Sequence, residues 1–519
     1  MEHLSQLLVD AAGRHGERVA LSLDDVELTF AQLREAAVAV AADLRRRGLR
    51  AGDRVALVLP NVPAFAVAFY GAQLADLVVV PINPMCKERE IAYFLEDSGA
   101  RVVFAYDGEV ADTVEAGVGR AADRDGDAGA EDAGAVDSGV AVWRCDERGP
   151  LGLIGADASP QPTRSAQDTA VILYTSGTTG VSKGAELTHR NLVSNARTTA
   201  AHITQIDEID VIMGCLPLFH CFGLTCAMNA AFSVGARLTL IPRFDPDRAL
   251  AVMKRDAVTV FAGVPTMYSA LLNAAGDKAV PSLRSCISGG ASLPGEVLRA
   301  FEAEFDCIIL EGYGLSETSP AASFNVPESP RKVGSVGRAL PGVEMRVVDA
   351  KGVDVPDGEV GEIVYRGPQL MAGYWQNPTG TADAFAGGWF HSGDLVRRDE
   401  EGFIYVVDRA KDMIISGGEN IYCAEVENAL FSHPRITEAA IIGRADAKWG
   451  EVPVAVVVVA DGGDLTVEEL EPFLNERLAR YKHPKDVVIV DELPRNAGGK
   501  VVKPVLRADF GSKDAGLHS

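Results

Sequence analysis

The chain predicts a multidomain α/β protein, and three observations carry that reading. Apolar strand-like runs alternate with helical periodicity over residues 1 to about 105 and again from about 168 to 345, the pattern of sheets covered by helices. A turn-rich segment follows to about 408, punctuated by Asp357-Gly, Gly387-Gly and Glu401-Gly, and reads as β structure. From about 412 the alternation resumes in a stretch of the right size for a compact α/β module. With 519 residues the chain exceeds what one hydrophobic core supports.

The elements follow in order. Phe30 to Leu44 carries apolar residues at helical spacing, and Arg54-Val-Ala-Leu-Val-Leu59 and Val78-Val-Val80 read as buried strands. From Asp107 to Ser138 the composition shifts to Asp, Ala, Gly and Glu. Such a stretch is expected to bury little and to form a mobile acidic surface insertion without chemistry. Ala170-Val-Ile-Leu173 reads as a buried strand. Val211 to Ala236 lacks formal charge, yet Pro217, His220 and Asn229 interrupt it, so it is read as core elements and not a membrane span. Thr466-Val-Glu-Glu469 fits a capping box that starts a helix with Leu470, Phe473, Leu474 and Leu478 as its apolar stripe.

Composition narrows the function classes. A net charge of −24 argues against nucleic acid or an anionic membrane as the main partner, and requires local cations and backbone donors for any anionic ligand. Eight cysteines without a Cys-x-x-Cys pair indicate reduced thiols, and Met1-Glu-His-Leu-Ser lacks the pattern of a signal peptide. A cytoplasmic protein without an integral membrane segment is therefore expected. Cys215, Cys221 and Cys226 surround His220, but their spacing fits no zinc pattern.

The most informative stretch is Tyr174-Thr-Ser-Gly-Thr-Thr-Gly-Val-Ser-Lys-Gly184, directly after the strand at 170–173. The small and hydroxyl residues Thr175, Ser176, Gly177, Thr178, Thr179 and Gly180 leave backbone N–H groups free to meet a polyphosphate, and Lys183 adds a mobile positive charge. Counting from Gly177 puts Ser182 where a Walker A loop has its second glycine, so this is a phosphate loop of another kind. Further motifs lie far away in sequence. Glu311-Gly-Tyr-Gly-Leu-Ser-Glu-Thr318 combines a glycine turn, an aromatic face and a carboxylate. Trp389-Phe-His-Ser-Gly-Asp394 closes a β segment on an acid. Asp408-Arg-Ala-Lys-Asp412 places opposite charges at the expected junction, Ile415-Ser-Gly-Gly-Glu-Asn420 is a glycine turn beyond it, and Pro494-Arg-Asn-Ala-Gly-Gly-Lys500 presents a lysine on a loop.

In this order and spacing the motifs resemble the adenylate-forming (AMP-binding) superfamily of acyl-CoA synthetases, over nearly the whole chain. The resemblance implies a large amino-terminal domain of α/β sheets with a β-rich subdomain, residues 1–410, and a small mobile carboxy-terminal α/β domain, residues 411–519. It implies a two-step reaction in which a carboxylic acid and Mg²⁺–ATP give an acyl-adenylate and pyrophosphate, and coenzyme A then displaces AMP. Thr175 to Gly180 and Lys183 would hold the β- and γ-phosphates. Glu317 would meet Mg²⁺, and Ser316 the AMP phosphate. Tyr313 would stack on adenine, with Gly290, Ala291, Glu311, Gly312 and Gly314 lining the same region. Asp394 would accept from the ribose hydroxyls, Arg409 would face the ribose side, and Lys500 would bridge carboxylate and α-phosphate. Taken singly, these residues also suit bland roles: Asp394 and Arg409 as a surface ion pair, Tyr313 as a core aromatic.

The resemblance further implies a hinge at Lys411 and a pantetheine path beside Gly417 and Gly418, with Arg243, Trp449 and Tyr481 toward the nucleotide end of coenzyme A. Cys423 stands where many relatives have proline, which is expected to loosen that turn slightly. The acyl pocket would be walled by catalytic-region His220 and Phe222 opposite Gly263, Val264, Gly289 and Gly290. Arg and Lys are absent from these segments, which disfavours a second carboxylate on the substrate. A medium- or long-chain fatty acid is the expected substrate, with an aryl acid or a carrier-protein acceptor as alternatives. The Gly499-Lys500 context also resembles the sites that lysine acetyltransferases and deacetylases act on in similar synthetases.

Overall fold

The computed structural model describes residues 3–126, 140–150, 163–175, 182–410, 412–417, 419–446, 448–460, 462–495 and 501–511. The chain divides into two compact units, Met1–Glu344 with Tyr365–Phe390, and Met345–Val364 with His391–Ser519.

Within the first unit a seven-stranded sheet is built around parallel strands Arg54–Val58, Val78–Pro81, Ala100–Tyr106, Ala141–Cys145 and Thr169–Thr175. Strands covered on both faces are apolar almost without interruption, which explains Val78–Pro81. The helix Pro63–Leu74 is buried on every face and is correspondingly apolar all round. The helix Phe30–Arg46 starts where Thr29 accepts from Gln32 N and Gln32 reaches back, a complete capping box. A nine-stranded sheet has six parallel strands at its centre, among them Val211–Gly214, Val260–Gly263, Ser285–Ser288 and Ile308–Gly314. One face of it packs Phe261, Tyr268, Cys286 and Ile309; the other packs Phe222, Ala262, Ile287 and Leu310.

The stretch expected to bury little is corrected in its first part. Glu109–Gly126 is a helix, with Ala111 and Val114 buried and Val110 and Val118 packed beside them. Gly117 allows it to approach the helix Glu88–Ser98, since a Cβ at that position would lie 3.0 Å from Ile91 and 3.1 Å from the Glu88 carbonyl. Averaged composition hid four apolar residues at helical spacing.

The second unit has a four-stranded sheet of Glu344–Val348, Val360–Arg366, Phe390–Arg398 and Ile404–Arg409, the last two paired antiparallel, and a five-stranded sheet centred on Gly450–Val459. The helices Cys423–Phe431 and Val467–Asn475 cover one face of the latter, and Lys503–Phe510 the other. The capping box at Thr466 and Glu469 is formed, and Leu470 and Leu474 are buried beneath it. The four-stranded sheet goes with this unit, whose boundaries fall near 344, 364 and 390. Among the described residues its strands hydrogen-bond into neither of the larger sheets, a fact of pairing that local pattern does not reveal.

Candidate active site

The phosphate-loop region is a hairpin whose tip lies outside the described residues. Thr169–Thr175 pairs antiparallel with Lys183–Thr188, setting Thr175 opposite Lys183 and Tyr174 opposite Gly184. Ser176, Gly177, Thr178, Thr179 and Gly180 fall outside the described residues, as do Lys411, Gly418 and Lys500. The hairpin is braced from its side: Tyr93 OH donates to Ser182 O at 2.9 Å, and Tyr174 OH donates to Asp97. Lys183 is a strand residue whose ammonium is already engaged, 5.1 Å above the ring of Tyr374.

Glu317 sits in a short 3-10 turn, Ser316–Thr318, after the strand Ile308–Gly314. Its Oε1 accepts from Tyr374 OH at 3.0 Å, and its backbone carbonyl accepts from Met371 N at 2.9 Å. Lys183, Tyr374 and Glu317 therefore form one chain of contacts, and Tyr374 is a residue that the motif reading missed. Half-buried and carrying two hard oxygens, Glu317 is chemically suited to Mg²⁺.

The strand supplying Tyr313 depends on its glycines. A Cβ at Gly312 would run into the Phe324 ring, and one at Gly314 into the Pro320 carbonyl. Tyr313 itself is half-buried and stacks with Tyr365, centroids 6.2 Å apart at 18°. Glu311 is 2 % exposed. Its Oε1 accepts from Leu293 N at 2.9 Å, while Oε2 has no partner among the described residues. Burial pushes its pKa up to about 7, so the carboxyl is near half-protonated at neutrality. The unfolded chain releases this proton near pH 4.5, so folding stability falls as pH rises from there toward 7 and stays lower above it. The difference amounts to about 3 kcal/mol. Glu311→Gln keeps an acceptor for Leu293 N and is expected to unfold at a higher denaturant concentration than the parent at pH 8, with the gap closing at pH 5.

The acyl-wall residues are partly brought together. The ring of Phe222 lies against Gly289, where a Cβ would come within 3.2 Å of it, and Val264 lies 3.5 Å from the corresponding point on Gly290, whose φ is +84°. Gly263 differs: its missing side chain points to Phe261 and Tyr268, on the other face of the sheet. Gly290 and Ala291 form an exposed loop. Phe222 opens the π-helix Phe222–Asn229, every residue of which is buried; wide turns of this kind concentrate at functional sites. The preceding segment is clamped by buried Asn61, which donates to the carbonyls of Gly214 (3.1 Å) and Leu216 (2.8 Å) and accepts from Leu218 N (2.9 Å). His220 Nδ1 accepts from Phe222 N at 3.3 Å. Its side chain is accessible, and desolvation by the surrounding protein lowers its pKa.

In the second unit Asp394 is 4 % exposed and pairs across the strands with Arg409, Nε to Oδ1 3.1 Å. This is an ion pair, but its acid is buried rather than on the surface. Asp394 lies within the strand Phe390–Arg398 instead of closing it. Glu362 braces the strand residues before it, accepting from Gly393 N at 2.9 Å and pairing with His391 at 2.8 Å. Gly417 has φ +61° and donates to Trp449 O at 2.8 Å; a Cβ there would stand 2.7 Å from the indole. Trp449, Tyr481 and Arg243 are exposed.

The turn at Cys423 is fastened rather than loosened. Cys423 N donates to the buried carboxylate of Asp408, a bond proline could not make, and its thiol donates to Asp412 O at 2.9 Å.

Residues 8–375 match the AMP-binding enzyme family, and residues 425–500 match the AMP-binding enzyme C-terminal domain. The chain is 35% identical to the long-chain-fatty-acid–CoA ligase of Bacillus subtilis (strain 168), covering 96% of this chain and 93% of that protein. It is 38% identical to a feruloyl-CoA synthase of an Amycolatopsis species, covering 93% and 94%. The crystal structure of ATP-bound MatB from Rhodopseudomonas palustris superposes with a TM-score of 0.88 at 34% identity, covering 98% and 99%. The chain belongs to the AMP-binding enzyme family. It is an adenylate-forming acid–thiol ligase that uses ATP, Mg²⁺ and coenzyme A.

Proposed function

We propose that the acid it activates is a medium- or long-chain fatty acid. The supporting observation is the apolar character of the wall: Phe222 against the bare backbone of Gly289, beside Val264, within a cluster that also holds Leu216, Ile287 and Leu340. Such a surface favours a hydrocarbon and offers a second carboxylate no Arg or Lys among these residues. The aryl reading is supported by the slightly higher identity to the feruloyl-CoA synthase. AMP release measured over a panel of saturated fatty acids and hydroxycinnamic acids, with and without coenzyme A, separates the two. A higher kcat/KM for any aromatic acid than for every fatty acid would overturn the proposal. Phe222→Ala is expected to shift the ranking by about tenfold toward bulkier acids, since one pocket contact discriminates by about 1–3 kcal/mol; an unchanged ranking puts the wall elsewhere.

On this reading Lys183 and the backbone of residues 175–180 receive the polyphosphate, and Glu317 would hold Mg²⁺, which neutralises charge on the phosphates. Tyr313 would cover the adenine, and Asp394, with its orientation fixed by Arg409 and the Glu362-braced strand, would accept from ribose hydroxyls. Lys500 would balance charge during adenylation, and acetylation of it would remove that charge. Lys411 is the proposed hinge, and Gly417 beside Trp449 the proposed border of the pantetheine path.

A further inference from the structure

We propose that Tyr374 is a positioning residue for adenylation, its hydroxyl orienting the Glu317 carboxylate toward the metal and its ring parking the Lys183 ammonium beside the phosphate loop. The inference rests on the reading that Glu317 meets Mg²⁺ and Lys183 the polyphosphate.

Tyr374 is held from both sides by main-chain bonds. The two-residue strand Gly373–Tyr374 pairs antiparallel with the strand that carries Lys183, Tyr374 opposite Ala185. Ala372 N donates to Glu186 O at 2.8 Å, and Trp375 N donates to Gly184 O at 2.7 Å. Trp375 Nε1 donates to Asp97 O at 3.0 Å, the residue whose side chain already holds Tyr174 of the same hairpin. One residue earlier in the segment, Met371 N bonds the main chain of Glu317 itself. The segment 371–375 thus stitches the lysine-bearing strand to the carboxylate-bearing turn, and the tyrosine side chain repeats that link at 3.0 Å and 5.1 Å.

The chemistry fits the geometry. A phenol is a donor that does not compete with a carboxylate for a cation. One hydrogen bond to Oε1 fixes the carboxylate plane and leaves lone pairs for a hard cation. The ring face offers the ammonium a weak resting place that a polyphosphate easily outcompetes.

The test uses the full chain with Tyr374→Phe, which keeps the ring, and Tyr374→Leu, which removes it. Mn²⁺ binding in the presence of α,β-methylene-ATP, read by electron paramagnetic resonance, is expected to weaken about tenfold in Tyr374→Phe, the usual cost of losing an outer-shell partner. The KM for ATP at saturating Mg²⁺ should stay within about twofold in that variant and rise only in Tyr374→Leu. Both variants should convert supplied acyl-adenylate to thioester at the parent rate. Parent-like Mn²⁺ affinity in Tyr374→Phe overturns the proposal, as does an equal loss in the thioester step, which marks a merely structural role. Glu317→Gln tells the two levels apart. If it too leaves Mn²⁺ binding unchanged, the reading of Glu317 as metal partner falls and takes this inference with it; if it weakens binding while Tyr374→Phe does not, only the tyrosine's role falls.

Discussion

Lys500→Ala is expected to slow pyrophosphate release by about 10²–10³ while leaving the conversion of supplied acyl-adenylate to thioester at its parent rate. Negative charge gathers on the α-phosphate only as the carboxylate attacks it, so a cation aimed at that point stabilises the first transition state and not the second. Burst measurements of pyrophosphate beside single-turnover thioester formation check both halves. Equal damage to the two steps would remove Lys500 from the chemistry.

Gly314→Ala should produce the second large effect. The added methyl would coincide with the Pro320 carbonyl, main chain that has no rotamer through which to escape. The strand Ile308–Gly314 and the turn bearing Glu317 must then separate, at about 1–3 kcal/mol of stability for forced overpacking. Because displaced catalytic groups are sensitive to about 1 Å, adenylation should fall by about 10². Thermal melts with pyrophosphate exchange decide it; a variant with parent activity would show that the turn relaxes without moving its carboxylate.

Much of this was legible in the chain itself. The alternating α/β pattern, the capping boxes and the glycine-flanked motifs are local signals, and local physics wrote them: Thr466 with Glu469 satisfies its own backbone wherever the helix is placed. What local pattern could not carry was partnership at a distance. Tyr374 stands among Gly, Trp and Asn and reads as a turn, while its importance comes from pairing with residues 57 positions back, at Glu317. Asn61 is similarly an ordinary polar residue until its amide is seen to grip 214–218 across more than 150 residues. Asp394 with Arg409 reads in the sequence as a surface pair, and only burial distinguishes it from one. The helix Glu109–Gly126 was obscured for a different reason: four packed side chains cannot shift the mean of an acidic segment.

The wide-turned stretch Phe222–Asn229 bears on how this enzyme can diversify. A π turn encloses one more residue between hydrogen-bonded partners than an α turn. Deleting a single codon there restores the tighter ladder and swings the side chains on one flank about 100° around the axis. No point substitution moves so many groups at once. Because the neighbouring helix Ala230–Val234 ends at a glycine with φ +85°, the disturbance has a natural place to stop. On the proposal that Phe222 walls the acyl pocket, a one-residue insertion or deletion at this seam would change acid preference more sharply than a point substitution there.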